Sequence, residues 1–411
     1  MTRLIRSWAG DPPLVFTVLA LSLFGIAMIY SAGVLNVPSP VTQSIWQKQL
    51  IWLVLALGAF TAVSRVPLRW FEWAALPAYV MGLILLAATL VIGTGAGTAA
   101  GVKSWISLGG VRFQPAEVAK IATILAMARL LGVKREAPQS LRELAAPVGV
   151  VALPLALVIL QPDLGTALAF IGILFAMLYW GGTPIPILVL LASPGLGLIL
   201  SFDIWFWGTY IVVLTLSLFF YRYRLYLVES VAVVLANLAA GTVALPLWRS
   251  LAEYQRNRLL VFLDSRVDPL GAGWQIIQSK VAIGSGGLTG KGFTYGSQKR
   301  LDFLPEQHTD FIFSVVGEEL GFVGTALVIL AFSYLLLRLI RLASEAADPF
   351  AGLIIFGIFG AWITHIFVNI GMTIGLVPIT GIPLPFVSYG GSFLLMSWVA
   401  LATAVRVARE S

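Results

Sequence analysis

The sequence predicts an all-α polytopic membrane protein, a bundle of about twelve transmembrane helices with one large extracytoplasmic loop. Three observations carry that prediction. Apolar residues make up 59% of the 411 residues and charged residues only 11%, where a soluble domain carries about 25% charged residues. The apolar residues fall in long runs without period-2 alternation, and a chain crossing a water-free bilayer core by such runs must do so as helices. The charges, in turn, are gathered: 14 of 45 lie in the 63 residues from Trp248 to Asp310.

The first span, Leu14–Ala32, follows Arg3 and Arg6 as a signal sequence would. About 19 apolar residues exceed a usual signal core, however, and more spans follow, so it reads as an uncleaved first helix. Next come Trp46–Val63, Ala74–Ile92 and Gln114–Leu131, and then the charged linker Val133–Leu144. Ala145–Leu160 and Leu164–Tyr179 are separated only by Gln161-Pro-Asp163, in which Asp163 is placed to cap the second helix. Ile185–Leu200, Trp205–Phe220 and Tyr226–Leu247 lead to the charged stretch 248–310. Phe311–Leu337, Phe350–Ile374 and Pro385–Val405 complete the chain. Pro147, Pro154, Pro194 and Pro246 interrupt several of these runs. No heptads, low-complexity tract or inverted repeat stand out, so residues 1–411 read as one integral membrane domain.

Short cytoplasmic loops retain Lys and Arg. An inside N-terminus assigns Arg3, Arg6, Arg65, Arg69, Arg129, Lys134, Arg135, Arg142, Arg222, Arg224, Arg338, Arg341, Arg406 and Arg409 to the cytoplasm, 14 of the 26 basic residues. Both termini are then cytoplasmic and the 248–310 loop lies outside. Loops longer than about 60 residues escape the charge bias, so its eight basic residues call for another explanation, such as an anionic substrate.

The lack of cysteine excludes disulfides, thiolate nucleophiles and Cys-bound zinc, and His308 and His365 are the only histidines. A metal would need oxygen ligands, which suits Mg²⁺, Mn²⁺ or Ca²⁺. The net charge of +7 reads as a topology signal and an attraction to anionic lipid, not as nucleic-acid binding.

Ionisable residues in or beside spans are costly and are candidate site residues. Glu117 and Lys120, three apart, share a helix face, either as an internal ion pair or with Lys120 and the nearby Arg112 meeting a phosphate. Asp163 has a capping role or a polar site role. Asp264 and Asp268 are loop carboxylates in a turn-like sequence. The glycines of Gly284–Gly292 could form anion nests but lack Walker order. Glu306, His308 and Asp310 carry a weak metal pattern, with capping by Thr309 or Asp310 as the plainer reading. Gly375–Ser392 breaks helix at membrane depth, so its Ser388-Tyr-Gly-Gly turn belongs to an inner wall or a substrate cleft.

Four signatures in order, Gln114-Pro-Ala-Glu-Val-Ala-Lys120, Gln161-Pro-Asp-Leu-Gly-Thr-Ala167, Asp268-Pro-Leu-Gly-Ala-Gly-Trp-Gln-Ile-Ile-Gln-Ser-Lys280 running into Gly284-Ser-Gly-Gly287, and Leu304–Phe313 with Gly375–Ser392, resemble the SEDS family, whose RodA and FtsW members are bacterial peptidoglycan polymerases. Lys291–Phe303 resembles the RodA branch. The resemblance spans nearly the whole chain. It implies a core of ten helices, to which this chain adds an extra pair, Trp205–Phe220 and Tyr226–Leu247. The implied activity is a glycosyltransferase of the bacterial cytoplasmic membrane that joins lipid II units by one inverting displacement, releasing undecaprenyl diphosphate. One displacement needs one general base, and the family's essential loop aspartate falls on Asp268. Arg112, Glu117, Lys120, Asp163, Lys280 and Ser388 are the expected substrate- and diphosphate-binding residues. A divalent cation, Mg²⁺ or Mn²⁺, is the expected cofactor, with no organic cofactor, and a class B penicillin-binding protein is the expected partner. A lipid II flippase and a non-enzymatic cell-wall scaffold are the competing readings, and the flippase would not need carboxylates in a long outer loop.

Overall fold

The computed structural model describes residues 11–36, 44–95, 103–109, 111–133, 137–220, 227–264, 266–268, 271–301, 303–304 and 306–410. Arg3, Arg6, Lys134, Arg135, Arg222 and Arg224 of the topology argument, and Pro269, Leu270 and Pro305 of the motifs, lie outside these residues.

The helices in order are α1 (Pro12–Ala32), α2 (Ile45–Val63), α3 (Leu68–Ile92), α4 (Pro115–Gly132), α5 (Ala145–Leu160), α6 (Leu164–Trp180), α7 (Ile185–Leu200), α8 (Ile204–Phe220), α9 (Leu227–Ser250), α10 (Glu253–Leu263), α11 (Ala272–Ser285), the single turn α12 (Ser297–Arg300), α13 (Ile312–Glu345), α14 (Pro349–Ile374) and α15 (Gly391–Glu410). The sheet is a hairpin, β1 (Ile106–Leu108) antiparallel to β2 (Val111–Phe113), with Ser107 opposite Arg112.

All twelve expected apolar helices are present. Eight are long and apolar enough to cross a membrane, α6, α7 and α8 are shorter apolar helices, and α4, which carries Glu117, Lys120 and Arg129, falls in neither group. Several boundaries differ from expectation: α3 starts at Leu68, not Ala74, and α13 runs to Glu345, not Leu337. The last helix starts at Gly391, not Pro385, because Phe386 takes φ 66° and Pro383 and Pro385 have no N–H to donate. The expected helix from Phe311 is two helices merged across a break at Gly321 (φ 63°, ψ −159°).

Local chemistry explains where helices start. Asp11 accepts from the Leu14 amide at 3.2 Å ahead of Pro12 and Pro13, and Asp348 accepts from Phe350 at 2.9 Å ahead of Pro349. Each carboxylate satisfies an orphan donor, and proline at the first turn loses no hydrogen bond.

α14 runs through the centre, packed against α4, α6, α13 and α15. Its approach to α6 is set by glycine: a Cβ at Gly172 would fall 1.9 Å from the Thr364 hydroxyl, and one at Gly360 would fall 2.8 Å from the Gly172 oxygen. Such close backbone approach replaces hydrophobic drive in a lipid environment. At the edge, α8 and α9 pack with α7 and are pinned by a buried polar cluster. There Asn237 donates to Ser193 at 2.8 Å, and the Tyr210 hydroxyl donates to Asn237 at 3.0 Å.

The connections sort to two ends. One end collects the hairpin, the 161–163 turn, residues 251–311 and 375–390. The other carries Arg338 against Asp11 (2.6 Å), the Leu68 amide on Glu410 (2.8 Å) and the Arg142 amide on Glu229 (3.1 Å).

The glycine run is no anion nest. It is a clasp on the α13 break. Lys291 and Gly292 amides donate to the Glu318 and Glu319 carbonyls at 3.0 Å, while Phe322 and Val323 amides donate back to Gly287 (2.9 Å) and Leu288 (3.0 Å). The backbone groups freed at Gly321 are thereby satisfied. Beneath the clasp, Lys291 pairs with Glu318 at 2.8 Å, and buried Lys299 pairs with buried Glu319 at 2.5 Å.

Candidate active site

A cavity of about 190 Å³ opens among the loop-rich ends of α4, α6, α10, α13 and α14. Trp105 comes from just before β1, where it bridges to Thr94; Gln114 and Glu117 come from the cap and first turn of α4, and Asp163 and Thr166 from the cap and first turn of α6. Tyr254 and Arg258 come from α10, Glu306, Thr309 and Asp310 from the turn before α13, and His365 from α14. Thr380–Pro383, Tyr389 and Gly390 supply the remaining wall. The irregular 375–390 segment thus lines a cavity, as exposed backbone polar groups at that depth require.

Of the residues named from sequence, Glu117 and Asp163 face this cavity. Asp163 serves both of its readings. One oxygen caps α6 through the Thr166 amide at 3.0 Å, and the other accepts from the Thr166 hydroxyl (2.9 Å) and Gln114 (3.2 Å). Lys120 lies behind the wall, 5% exposed, paired with Glu117 at 3.0 Å and 5.3 Å from the Phe393 ring centre. Its Nζ is also 2.9 Å from His365 Nε2. His365 Nδ1 lies 3.0 Å from the Pro383 carbonyl, which only accepts, so Nδ1 carries the proton and Nε2 accepts from the Lys120 ammonium. The ion-pair reading of Glu117 and Lys120 is therefore realised, with a histidine as third member.

The other named residues stand outside the cavity wall. Asp268 is partly buried and caps α11, accepting from the Ala272 amide at 3.0 Å. Lys280 is exposed on α11 beside Gly375, where a Cβ would meet its Cε at 2.4 Å. Arg112 is exposed on β2, close enough to act electrostatically on Tyr389, whose pKa is pushed up by burial against that charge. Ser388 was expected to touch substrate, but it is buried and builds the wall from behind. Its hydroxyl donates to the Thr309 carbonyl (2.5 Å) and accepts from the Leu384 amide (2.8 Å). Neither Thr309 nor Asp310 caps α13: no side chain bonds at that cap, and Thr309 turns back to the Glu306 carbonyl at 3.1 Å.

Asp310 is the residue whose role the sequence did not show. Burial, with the negative charges of Glu306 and Asp163, raises its pKa to about 7 against the pull of Arg258 and Thr309. A Cβ at Gly381 would lie 3.2 Å from Asp310 Oδ2 and 3.6 Å from Arg258 Nη1, so both side chains converge on one point of the wall. Asn369 of α14 fixes the turn by donating to the Asp310 carbonyl at 2.9 Å. Tyr254, Arg258 and His365 were also missed. The signal for His365 was its place in an apolar helix, but nothing local distinguishes Tyr254 or Arg258 within a charged loop.

No group of three His, Asp or Glu residues among the described residues is arranged to hold a metal ion. The weak Glu306/His308/Asp310 pattern does not assemble into such a group.

The family model described as cell cycle protein, FtsW/RodA/SpoVE, matches residues 12–224 and 206–411, two stretches that overlap across most of α8. The peptidoglycan glycosyltransferase MrdB of Escherichia coli strain K12 is 35% identical over 386 residues, 94% of this chain and 90% of that protein. The peptidoglycan glycosyltransferase RodA of Treponema pallidum is 36% identical over 419 aligned residues, 95% of each chain. A solved structure described as structural coordination of polymerization and crosslinking by a peptidoglycan synthase complex superposes with a TM-score of 0.70 at 30% identity, covering 97% of both chains.

Proposed function

Since the chain belongs to the FtsW/RodA/SpoVE family and is a RodA-like peptidoglycan glycosyltransferase, we propose that it polymerises lipid II at the outer boundary of the bacterial cytoplasmic membrane. The observation that carries this reading is the cavity. It lies within an apolar bundle, so a polyprenyl tail can remain in lipid, and its wall holds carboxyls, hydroxyls and a guanidinium suited to a sugar diphosphate. Every segment lining it comes from the end that the Lys/Arg distribution assigns to the outside.

In the proposed reaction an acceptor sugar hydroxyl attacks the anomeric carbon of the lipid-linked donor and inverts it. Asp268 is the general base by resemblance. Its carboxylate is held at the N-terminus of α11 by the Ala272 amide, and a carboxylate there can take the proton of an attacking hydroxyl. Arg258 faces the leaving diphosphate from the wall, and exposed Arg112 and Lys280 contribute charge at the same end. Glu117 and Lys120 set the shape and charge of the floor. A divalent cation, Mg²⁺ or Mn²⁺, would enter with the substrate diphosphate, whose oxygens suit it as ligands. A class B penicillin-binding protein is the proposed partner, supported by the similarity to a polymerising and crosslinking complex.

The test incubates purified protein with lipid II and Mg²⁺, with and without EDTA, and reads glycan length on a gel. Polymer in the wild type and none in Asp268→Ala, with lipid II binding retained, is the expected outcome. Near-normal polymer from Asp268→Ala would remove the base assignment. Lipid II transport in liposomes without polymer would favour the flippase.

A further inference from the structure

The charge balance of the cavity needs an answer if a diphosphate leaves from it. Among the described residues its wall carries four carboxyl groups, Glu117, Asp163, Glu306 and Asp310, and one guanidinium, Arg258. A diphosphate adds further negative charge to the same space. Like charges crowded in a site shielded from water are relieved when one group holds a proton.

Three of the four carboxyl groups are engaged by donors of the protein itself at hydrogen-bond distance. Glu117 has Lys120 at 3.0 Å. Asp163 accepts from the Thr166 amide, the Thr166 hydroxyl and Gln114. Glu306 accepts from the Thr309 hydroxyl at 3.1 Å. Asp310 follows in the same turn, close enough to Glu306 and Asp163 to feel both charges, with Arg258 and Thr309 pulling the other way.

We propose that Asp310 acts as a neutral carboxyl group that donates a hydrogen bond to the leaving diphosphate. The proposal rests on the glycosyltransferase reading above and adds a second catalytic residue to it. The geometry supplies the partners: Asp310 and Arg258 converge beside Gly381, whose missing side chain leaves that point of the wall open. Asp310 lies on the cavity wall among other acids, a setting in which crowded like charge is relieved when one carboxyl group keeps its proton.

The proton and electron count closes. The acceptor hydroxyl oxygen forms a bond to the anomeric carbon as the bond from that carbon to the diphosphate oxygen breaks, leaving its electron pair on that oxygen. The hydroxyl proton passes to Asp268, and the diphosphate departs with that electron pair, hydrogen-bonded by the Asp310 carboxyl, which keeps its proton. Exchange with water then resets Asp268. The charged groups facing Asp310 are Glu306 from its own turn, Arg258 from α10 and Asp163 from the start of α6. From α14 comes neutral Asn369, and residues 379–383 contribute no ionisable side chain.

Purified full-length wild type, Asp310→Ala, Asp310→Asn and Asp268→Ala are assayed for lipid II polymerisation across neutral pH, with lipid II binding measured in parallel. Loss of a donor to developing charge lowers kcat on the order of 10²-fold in Asp310→Ala. Asp310→Asn keeps an N–H donor in place and stays within about tenfold of wild type. Wild-type kcat falls as pH rises through neutrality, and Asp310→Asn lacks that fall. Asp310→Asn that binds lipid II but is as inactive as Asp310→Ala, or Asp310→Ala with wild-type kcat, overturns the proposal. A fully active Asp268→Ala removes the base assignment instead, and the contrast between Asn and Ala at position 310 still decides the donor.

Discussion

The buried Lys299–Glu319 pair should behave as a unit whose halves cannot be removed singly. The two side chains are 1% and 0% exposed and 2.5 Å apart, and both also bond Ser31 of α1, so the pair ties the glycine clasp to α13 and α1 at once. Removing one partner of a buried pair costs about 3–5 kcal/mol, whereas replacing both by apolar residues of similar volume is often neutral or better. Glu319→Leu lies toward the low end of that range. Burial already pulls the Lys299 pKa down while Glu319 holds it up, so without Glu319 the amine sheds its proton and escapes part of the penalty. Lys299→Met lies higher, because the Glu319 carboxylate is left with the Ser31 hydroxyl and a long bond from the Gly296 amide. The double variant strands the Ser31 hydroxyl, at about 1–3 kcal/mol. A double-mutant cycle therefore gives a coupling of roughly 5–7 kcal/mol. With an unfolding entropy of about 2.1 cal/mol/K per residue, a chain of this length loses about 3–6 °C in Tm for each single change. Thermal unfolding followed by tryptophan fluorescence in detergent reads all four proteins. Additive Tm shifts, or single variants that melt with the wild type, would refute the account.

Two further outcomes separate the working parts from the periphery. Gly321→Ala should lower Tm and folded yield by an amount equivalent to about 2–3 kcal/mol, because the residue holds φ 63° and its new Cβ would lie 2.4 Å from the Gly290 amide nitrogen; a normal melting curve would show that the clasp yields. Asn237→Ala should cost only about 1 kcal/mol, since hydrogen bonds between membrane helices are worth about 0.6 kcal/mol each, and should leave polymerisation unchanged because α8 and α9 are remote from the cavity; a large loss of activity would give that pair a part in the reaction.

The helices were legible because hydropathy, proline and capping residues act within a few positions of one another. Asp163 shows how far this reaches: its place before an apolar run foretold the cap, and the same carboxylate faces the cavity. The glycine run shows where it stops. Gly-rich sequence suits a nest or a clasp equally, and only the break at Gly321, about thirty residues later, supplies the amides and carbonyls that make it a clasp.

The sequence by itself determined the class of molecule, its apolar helices, the charged 248–310 stretch and the family, since each is written in composition, local order or contiguous motifs. Tertiary structure alone decided which polar residues meet. Lys120 reaches His365 across 245 positions, Gln114 reaches Asp163 across 49, and Ser31 reaches Glu319 across 288. It also set Asp268 at a helix end and Asp310 in the cavity, although both are acids of one charged loop. A carboxyl group's chemistry depends on the charges and water around it, and those are brought together by distant segments packing in the folded bundle.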